Sequence, residues 1–305
     1  MTATTTTRRQ ASDGSRTTDD LRERLLDGVP ISERRLDLAG VSTAVLEGGD
    51  GPPVVLLHEP GSFAAHWAQV LPELLRIHRV IAPDLPGHGA TEVSEGKLDA
   101  GRVLSWLGEL VEQTCDAAPA VVGHLGSGSI AARFAAKDSR RLRSLVLVDS
   151  FGLGSFRPAP GFALALFRYV ARPTARTYDG LMQRCTADFD GVRAGMGARW
   201  EPFEAYTLDR ARSASGKAAL RVLMREVAVP PIPPADLERI AVPTTLIWGR
   251  HDPVMRLRVG EAASERYGWP LHVIEEAGDD PPIEQPEAFL RALGAGLALD
   301  GGERS

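Results

Sequence analysis

Cysteine is nearly absent: Cys115 and Cys185 are the only two in 305 residues. That is too few for a disulfide framework. No apolar run approaches the roughly 18 residues needed to span a membrane, and no secretory h-region follows Met1. Lysine is scarce, with only Lys97, Lys137 and Lys217. Positive charge is in deficit overall, 35 basic side chains against 40 acidic ones, for a net charge of -5. A polyanion-binding surface is excluded on that balance, so nucleic acid is not an expected partner. No group of His, Cys, Asp and Glu has metal-ligand spacing, so no metal and no other cofactor is expected. No internal repeat is found. With no signal and few cysteines, a cytoplasmic location is the expectation.

What is present is ample for a core: 43% of residues are hydrophobic and 25% charged. Residues 1–25 are polar, rich in Thr and Arg, and expected to be disordered. After them, short apolar runs alternate with amphipathic ones. Leu36–Leu46, Val54–Leu57, Arg79–Ala82 and Leu142–Val148 read as strands, and Ala64–Leu75 and Val103–Cys115 as helices. Such alternation indicates a mostly parallel central sheet flanked by helices, an α/β fold. From 150 to 235 the pattern turns helical and aromatic, punctuated by Pro and Gly. Thr244–Trp248 then resumes the strands. The expected organisation is therefore a core of 26–149 and 236–305 interrupted by a helical insertion at 150–235.

Several landmarks then carry a family resemblance. Val54-Val55-Leu56-Leu57-His58 with Pro60-Gly61 resembles the strand and turn that open α/β-hydrolases. Ala82-Pro83-Asp84-Leu85-Pro86-Gly87-His88-Gly89 is similar to the next strand end. Gly123-His124-Leu125-Gly126-Ser127-Gly128 stands where the family has its nucleophile elbow. Ile247-Trp248-Gly249-Arg250-His251-Asp252-Pro253 resembles the strand end that carries the triad acid. The string Ala277-Gly278-Asp279 stands where the triad histidine belongs. The resemblance implies an α/β-hydrolase fold, with the insertion at 150–235 as a cap over the carboxyl ends of the strands. The capped members it resembles are epoxide hydrolases and haloalkane dehalogenases.

The same landmarks depart from hydrolytic chemistry. The elbow pattern G-x-Ser-x-G places a nucleophile on a strained turn, and here that place is Leu125. A leucine has no lone pair with which to attack a carbonyl. Asp252 keeps the triad acid, but Asp279 replaces the histidine. Pro60 stands where one oxyanion donor is expected, and proline has no N–H. Gly126 could still supply the other.

Candidate catalytic residues are therefore Asp279, Asp252 and His124. Two neighbouring carboxylates cannot both ionise cheaply, so one of Asp279 and Asp252 is expected to be raised in pKa. The alternative is an exposed Asp279, with Asp280 beside it as a surface charge. For His124 the alternative is packing. Candidate substrate contacts are Leu125, Gly126, Glu59, Pro60, Trp67, Trp200 and Tyr206. The cap aromatics suit a large aromatic ligand.

The resemblance extends to non-hydrolytic superfamily members of bacterial polyketide biosynthesis. It implies an intramolecular C–C bond-forming cyclisation of an anthraquinone-like intermediate. Two other readings stay open: a ligand-binding pseudoenzyme, and a hydrolase or lyase with an unrecognised nucleophile. A homodimer is left open as well.

Overall fold

The computed structural model describes residues 12–93 and 96–298. Among these, nine strands form one sheet: β1 (Ser32–Leu38), β2 (Val41–Gly48), β3 (Pro53–Leu57), β4 (Arg79–Pro83), β5 (Glu92–Val93), β6 (Ala120–His124), β7 (Ser144–Val148), β8 (Thr244–Gly249) and β9 (Leu271–Ile274). Their order is β1-β2-β4-β3-β6-β7-β8-β9, with β5 paired to β2. β1, β2 and β4 pair antiparallel, and every pair from β4 to β9 is parallel.

The inner strands are apolar and buried throughout, because helices cover both faces of the sheet. Side chains alternate between those faces. Val55 and Leu57 pack with Trp106, Leu110 and Phe134 on one side. Val54 and Leu56 pack with Trp67, Leu71 and Phe289 on the other.

The run Leu36–Leu46, expected as one strand, is a hairpin of β1 and β2. The backbone turns at Ala39 (φ 50°) and Gly40 (φ 72°), and two successive positive φ values make the tight turn that joins twisted strands. The expected helix Ala64–Leu75 is likewise divided, into a 3-10 helix at Ala64–Gln69 and a short α-helix at Leu71–Leu74. Pro72 has no N–H to offer the preceding turn, so the first helix ends there.

Residues 12–25 also depart from expectation. Residues 1–11 lie outside the described residues, but Ser12–Leu25 is helical. Leu25 is fully buried, and Arg22 reaches the buried Asp84 at 3.0 Å. Apolar anchorage and an ion pair outweigh the polar composition.

Between β7 and β8 lie five main helices: Pro160–Ala171, Ala175–Cys185, Phe189–Met196, Trp200–Arg212 and Ala214–Leu223. They form the inserted helical region. No helix among the described residues is long and apolar enough to cross a membrane.

From β3 the chain moves to β4 on one side and then to β6 on the other. The carboxyl ends of β3 and β6 therefore flank the point where strand order reverses, the usual ligand crevice of an open α/β sheet.

Candidate active site

The crevice is built around the turn after β6. Leu125 sits at its apex with φ 49° and ψ -115°, directly before the helix Gly126–Lys137. A side chain at Gly123 would come within 2.6 Å of the Ser127 carbonyl oxygen, and one at Gly128 within 2.2 Å of Ser150 Oγ. Only glycine fits either place. The turn is fixed by its own backbone bonds. The Leu125 N–H donates to the Val148 carbonyl at 2.9 Å, and the Leu125 carbonyl accepts from Phe151 at 3.0 Å. Pro60 folds over the helix start, its Cγ lying 2.7 Å from where a Gly126 Cβ would stand.

A cavity of about 900 Å³ opens above this turn, beneath the inserted helices. Leu125, Gly126, Glu59, Pro60, Tyr206 and Asp279 line it. Aromatic pairs furnish part of the wall, Phe151 against Phe156 at 5.1 Å and Tyr169 against Tyr178 at 5.6 Å.

Four expected site residues lie elsewhere. Trp67 is fully buried under the sheet against Phe289, at 6.1 Å, so it is core. Trp200 packs behind the wall, edge-on to Phe189 at 5.4 Å, and does not line the cavity. His124 is fully buried, and its Nε2 donates to the Asp279 carbonyl at 2.7 Å. Asp252 is also off the wall. Its Oδ1 accepts from Val254 at 2.6 Å and Met255 at 2.9 Å.

Asp252 raises Asp279 by its charge, and it also neighbours a further buried carboxyl, Asp149. Asp149 follows β7 directly, with φ 45°, and its Oδ1 accepts from Gly249 at 2.9 Å. Oδ2 of Asp149 and of Asp252 is buried without a further partner. Burial, then its neighbour's charge, holds Asp149 well above the usual carboxylate range; burial pushes Asp252 up to about 6. Two buried carboxyls raised together favour one proton shared between them over two charges.

Asp280, a surface charge only in the alternative reading of Asp279, is buried on the cavity wall. Its Oδ1 lies 3.0 Å from His66 Nε2, and His66 Nδ1 lies 3.0 Å from Ser62 Oγ. Ser62, His66 and Asp280 all line the cavity. Burial pushes His66 down and Asp280 up, but their mutual attraction wins, raising the imidazole and lowering the carboxylate. Burial lifts Glu59 on the same wall to about 7, despite the opposing pull of His66. Asp279 is held well above the usual range by burial, then by Asp252 and Glu59. The wall thus gathers several proton donors and acceptors, one of them poised near neutral pH.

The hydrogen-bonded linkage of Ser62, His66 and Asp280 escaped sequence reasoning. One signal was legible: Ser62 and His66 are four residues apart at the start of a helical turn. Ser127, in contrast, is fully buried and spends its hydroxyl on the His58 carbonyl at 2.5 Å. His58 buttresses the turn from beneath: its Nδ1 donates to the Glu59 carbonyl at 2.7 Å and its Nε2 accepts from Leu85 at 3.0 Å.

Known proteins place the chain as a whole. A family model described as the alpha/beta hydrolase family matches residues 54–292. A 2-hydroxy-6-oxo-2,4-heptadienoate hydrolase of Pseudomonas putida is 30% identical over 87% of this chain and 96% of its own length. A 2-hydroxy-6-oxo-6-(2'-aminophenyl)hexa-2,4-dienoic acid hydrolase of Metapseudomonas resinovorans is 27% identical over 85% of this chain and 89% of its own. Among solved structures, a 2-hydroxy-6-oxo-6-phenylhexa-2,4-dienoate hydrolase from Rhodococcus sp. strain RHA1 superposes with a TM-score of 0.75 at 23% identity, covering 87% of this chain and 98% of that one. With the sheet, the sharp turn after β6 and a family match across most of its length, the chain belongs to the alpha/beta hydrolase family.

Proposed function

We propose that this chain is a non-hydrolytic enzyme that closes a C–C bond within one large aromatic substrate, an anthraquinone-like polyketide intermediate. The observation that carries the reading is Leu125 at the apex of the preserved turn, facing a cavity whose wall is equipped for proton transfer. Relatives named as hydrolases of oxo-dienoates support a conjugated, ketone-bearing substrate.

In an aldol-type closure, a base removes a proton from the carbon next to a carbonyl. The enolate carbon then attacks a second carbonyl of the same molecule, and the new alkoxide takes up a proton. Nothing is oxidised and no covalent enzyme intermediate forms. The Glu59 carboxylate, half ionised near neutral pH, is the assigned base. The imidazolium of His66, oriented by Asp280, returns the proton. Protonated Asp279 donates a hydrogen bond to the developing enolate oxygen. Holding both reacting carbons together in one cavity supplies the rest, on the order of 7–11 kcal/mol at best.

The test is the mass of the product formed from a polyketone of this class. Cyclisation gives an isomer, or an isomer less one water, and Glu59→Gln and His66→Gln each slow it at least about 100-fold while ligand binding persists. A product that has gained a water overturns the reading.

One observation favours a second reading. Ser62, His66 and Asp280 form a hydrogen-bonded Ser–His–Asp chain on the cavity wall, with both links at 3.0 Å. With His66 neutral and its proton on Nε2, Nδ1 would accept the Ser62 proton, and Ser62 would be the nucleophile of a hydrolase. A fluorophosphonate that labels Ser62 selects this reading; an unlabelled protein excludes it.

A further inference from the structure

The fold gathers three metal-ligating side chains from separate elements: His66 after β3, His124 at the end of β6 and Asp280 after β9. One ring nitrogen of each histidine and one carboxylate oxygen of Asp280 lie within 4.8 Å of one another, and all three residues are buried. We propose that they form a binding site for one divalent transition-metal ion of the zinc, cobalt or nickel class.

The outer contacts of both imidazoles fit that role. His124 donates Nε2–H to the Asp279 carbonyl at 2.7 Å, which leaves its lone pair on Nδ1. That Nδ1 is buried and has no hydrogen-bond partner. His66 has Ser62 Oγ at 3.0 Å from Nδ1 to receive a proton there, which frees Nε2 beside Asp280. A metal-binding histidine commonly donates its second N–H to such a carbonyl or hydroxyl, fixing tautomer and ring plane. The 3.0 Å between His66 Nε2 and Asp280 Oδ1 is close to the about 3.3 Å that separates two ligands on a tetrahedral zinc ion.

Two imidazoles and one carboxylate suit late first-row metals better than calcium or magnesium, and they leave coordination positions open. His66 and Asp280 line the cavity, so an open position faces the ligand space. An ion there and the proton shared by His66 and Asp280 exclude each other. The inference needs only the three ligands and does not rest on the cyclisation reading.

The test uses the tag-free full chain, stripped with a chelator and titrated with Co²⁺. A ligand-field absorption band is expected to saturate at one equivalent and to be displaced by Zn²⁺. X-ray absorption of the zinc-loaded wild-type protein is expected to show two imidazole nitrogens and a carboxylate oxygen. His124→Gln lowers affinity at least about tenfold, while His251→Gln, at an exposed position, leaves it unchanged. Absence of a saturable band, an oxygen-only shell around zinc, or unaltered binding by His124→Gln overturns the proposal. The absorption measurement needs no variant, so its outcome stands even where a substituted chain misfolds. None of these readouts requires turnover, so their failure leaves the cyclisation reading to its own test.

Discussion

Leu125 holds a backbone conformation that costs a residue with a side chain of order 1–3 kcal/mol. The cost persists because Gly123, Gly128 and the bonds to Val148 and Phe151 fix the turn, whatever side chain stands at its apex. Leu125→Ser is therefore expected to fold normally. It is also expected to hydrolyse p-nitrophenyl esters less than about tenfold above background, because a positioned base and oxyanion donors supply most of a triad's rate. His66 is engaged by Ser62 and Asp280, and Pro60 has no N–H to offer. Steady-state ester kinetics check this, and a rise of about a thousandfold would show that the machinery is complete but for its nucleophile.

Asp149 and Asp252 make a second prediction at this scale. Both carboxyls are raised in the folded state, Asp252 to about 6 and Asp149 further, so the folded protein binds more protons than the unfolded chain. Their contribution is greatest below about pH 4, the ordinary carboxylate range, and is lost as pH rises through about 6 and beyond. Asp149→Asn offers an amide that stays neutral. Its melting temperature is expected to exceed that of the wild type by a few degrees at about pH 8, with the gap narrowing towards about pH 5. A gap independent of pH would remove the shared proton.

Single residues also mark where sequence reasoning stopped. The glycine-spaced turn at 123–128 was legible because steric need writes itself into residue type. The pairing of Asp280 with His66 was not. Asp279 and Asp280 are adjacent and chemically alike, and the string alone cannot say which of the two meets an imidazole 214 residues away in sequence.

At the scale of elements, the parallel strands were plain from their unbroken apolar runs. The misreadings fell where a local feature overrode periodicity. Ala39-Gly40 bends one run into a hairpin, and Pro72 divides one helix. The helix Ser12–Leu25 is the larger case, since its stability comes from partners beyond its own composition. Arg22 binds Asp84 at 3.0 Å and Glu33 at 2.6 Å. Arg24 pairs with Glu201, on the inserted helix Trp200–Arg212. Arg22→Met removes the counter-charge of a fully buried carboxylate and is expected to destabilise the protein by about 3–5 kcal/mol. Asp84→Asn added to it is expected to recover part of the loss. Denaturant midpoints of the single and double variants measure both; an unchanged midpoint in Arg22→Met would mean the helix end is not anchored there.

At the scale of the whole molecule, layers and strand order followed from alternation, because a two-sided sheet leaves few other arrangements for such a sequence. The cavity wall did not. Its aromatic residues come from the insertion, Glu59 and His66 from the segment after β3, and Asp279 and Asp280 from the loop after β9. Spacing along the chain carries no record of which loop ends meet. Trp67 and Trp200 show the converse: both are aromatic and near the cavity, and both face away from it into the packing.

The glycines and backbone bonds that hold the turn after β6 make position 125 a fixed point whose occupant is exchangeable. A reporter placed there, such as a cysteine carrying a spin label or a small fluorophore, would stand at a known place on the cavity floor without disturbing the sheet beneath. Spectroscopy at that point would follow ligand entry and the polarity of the chamber in real time, before any substrate has been identified.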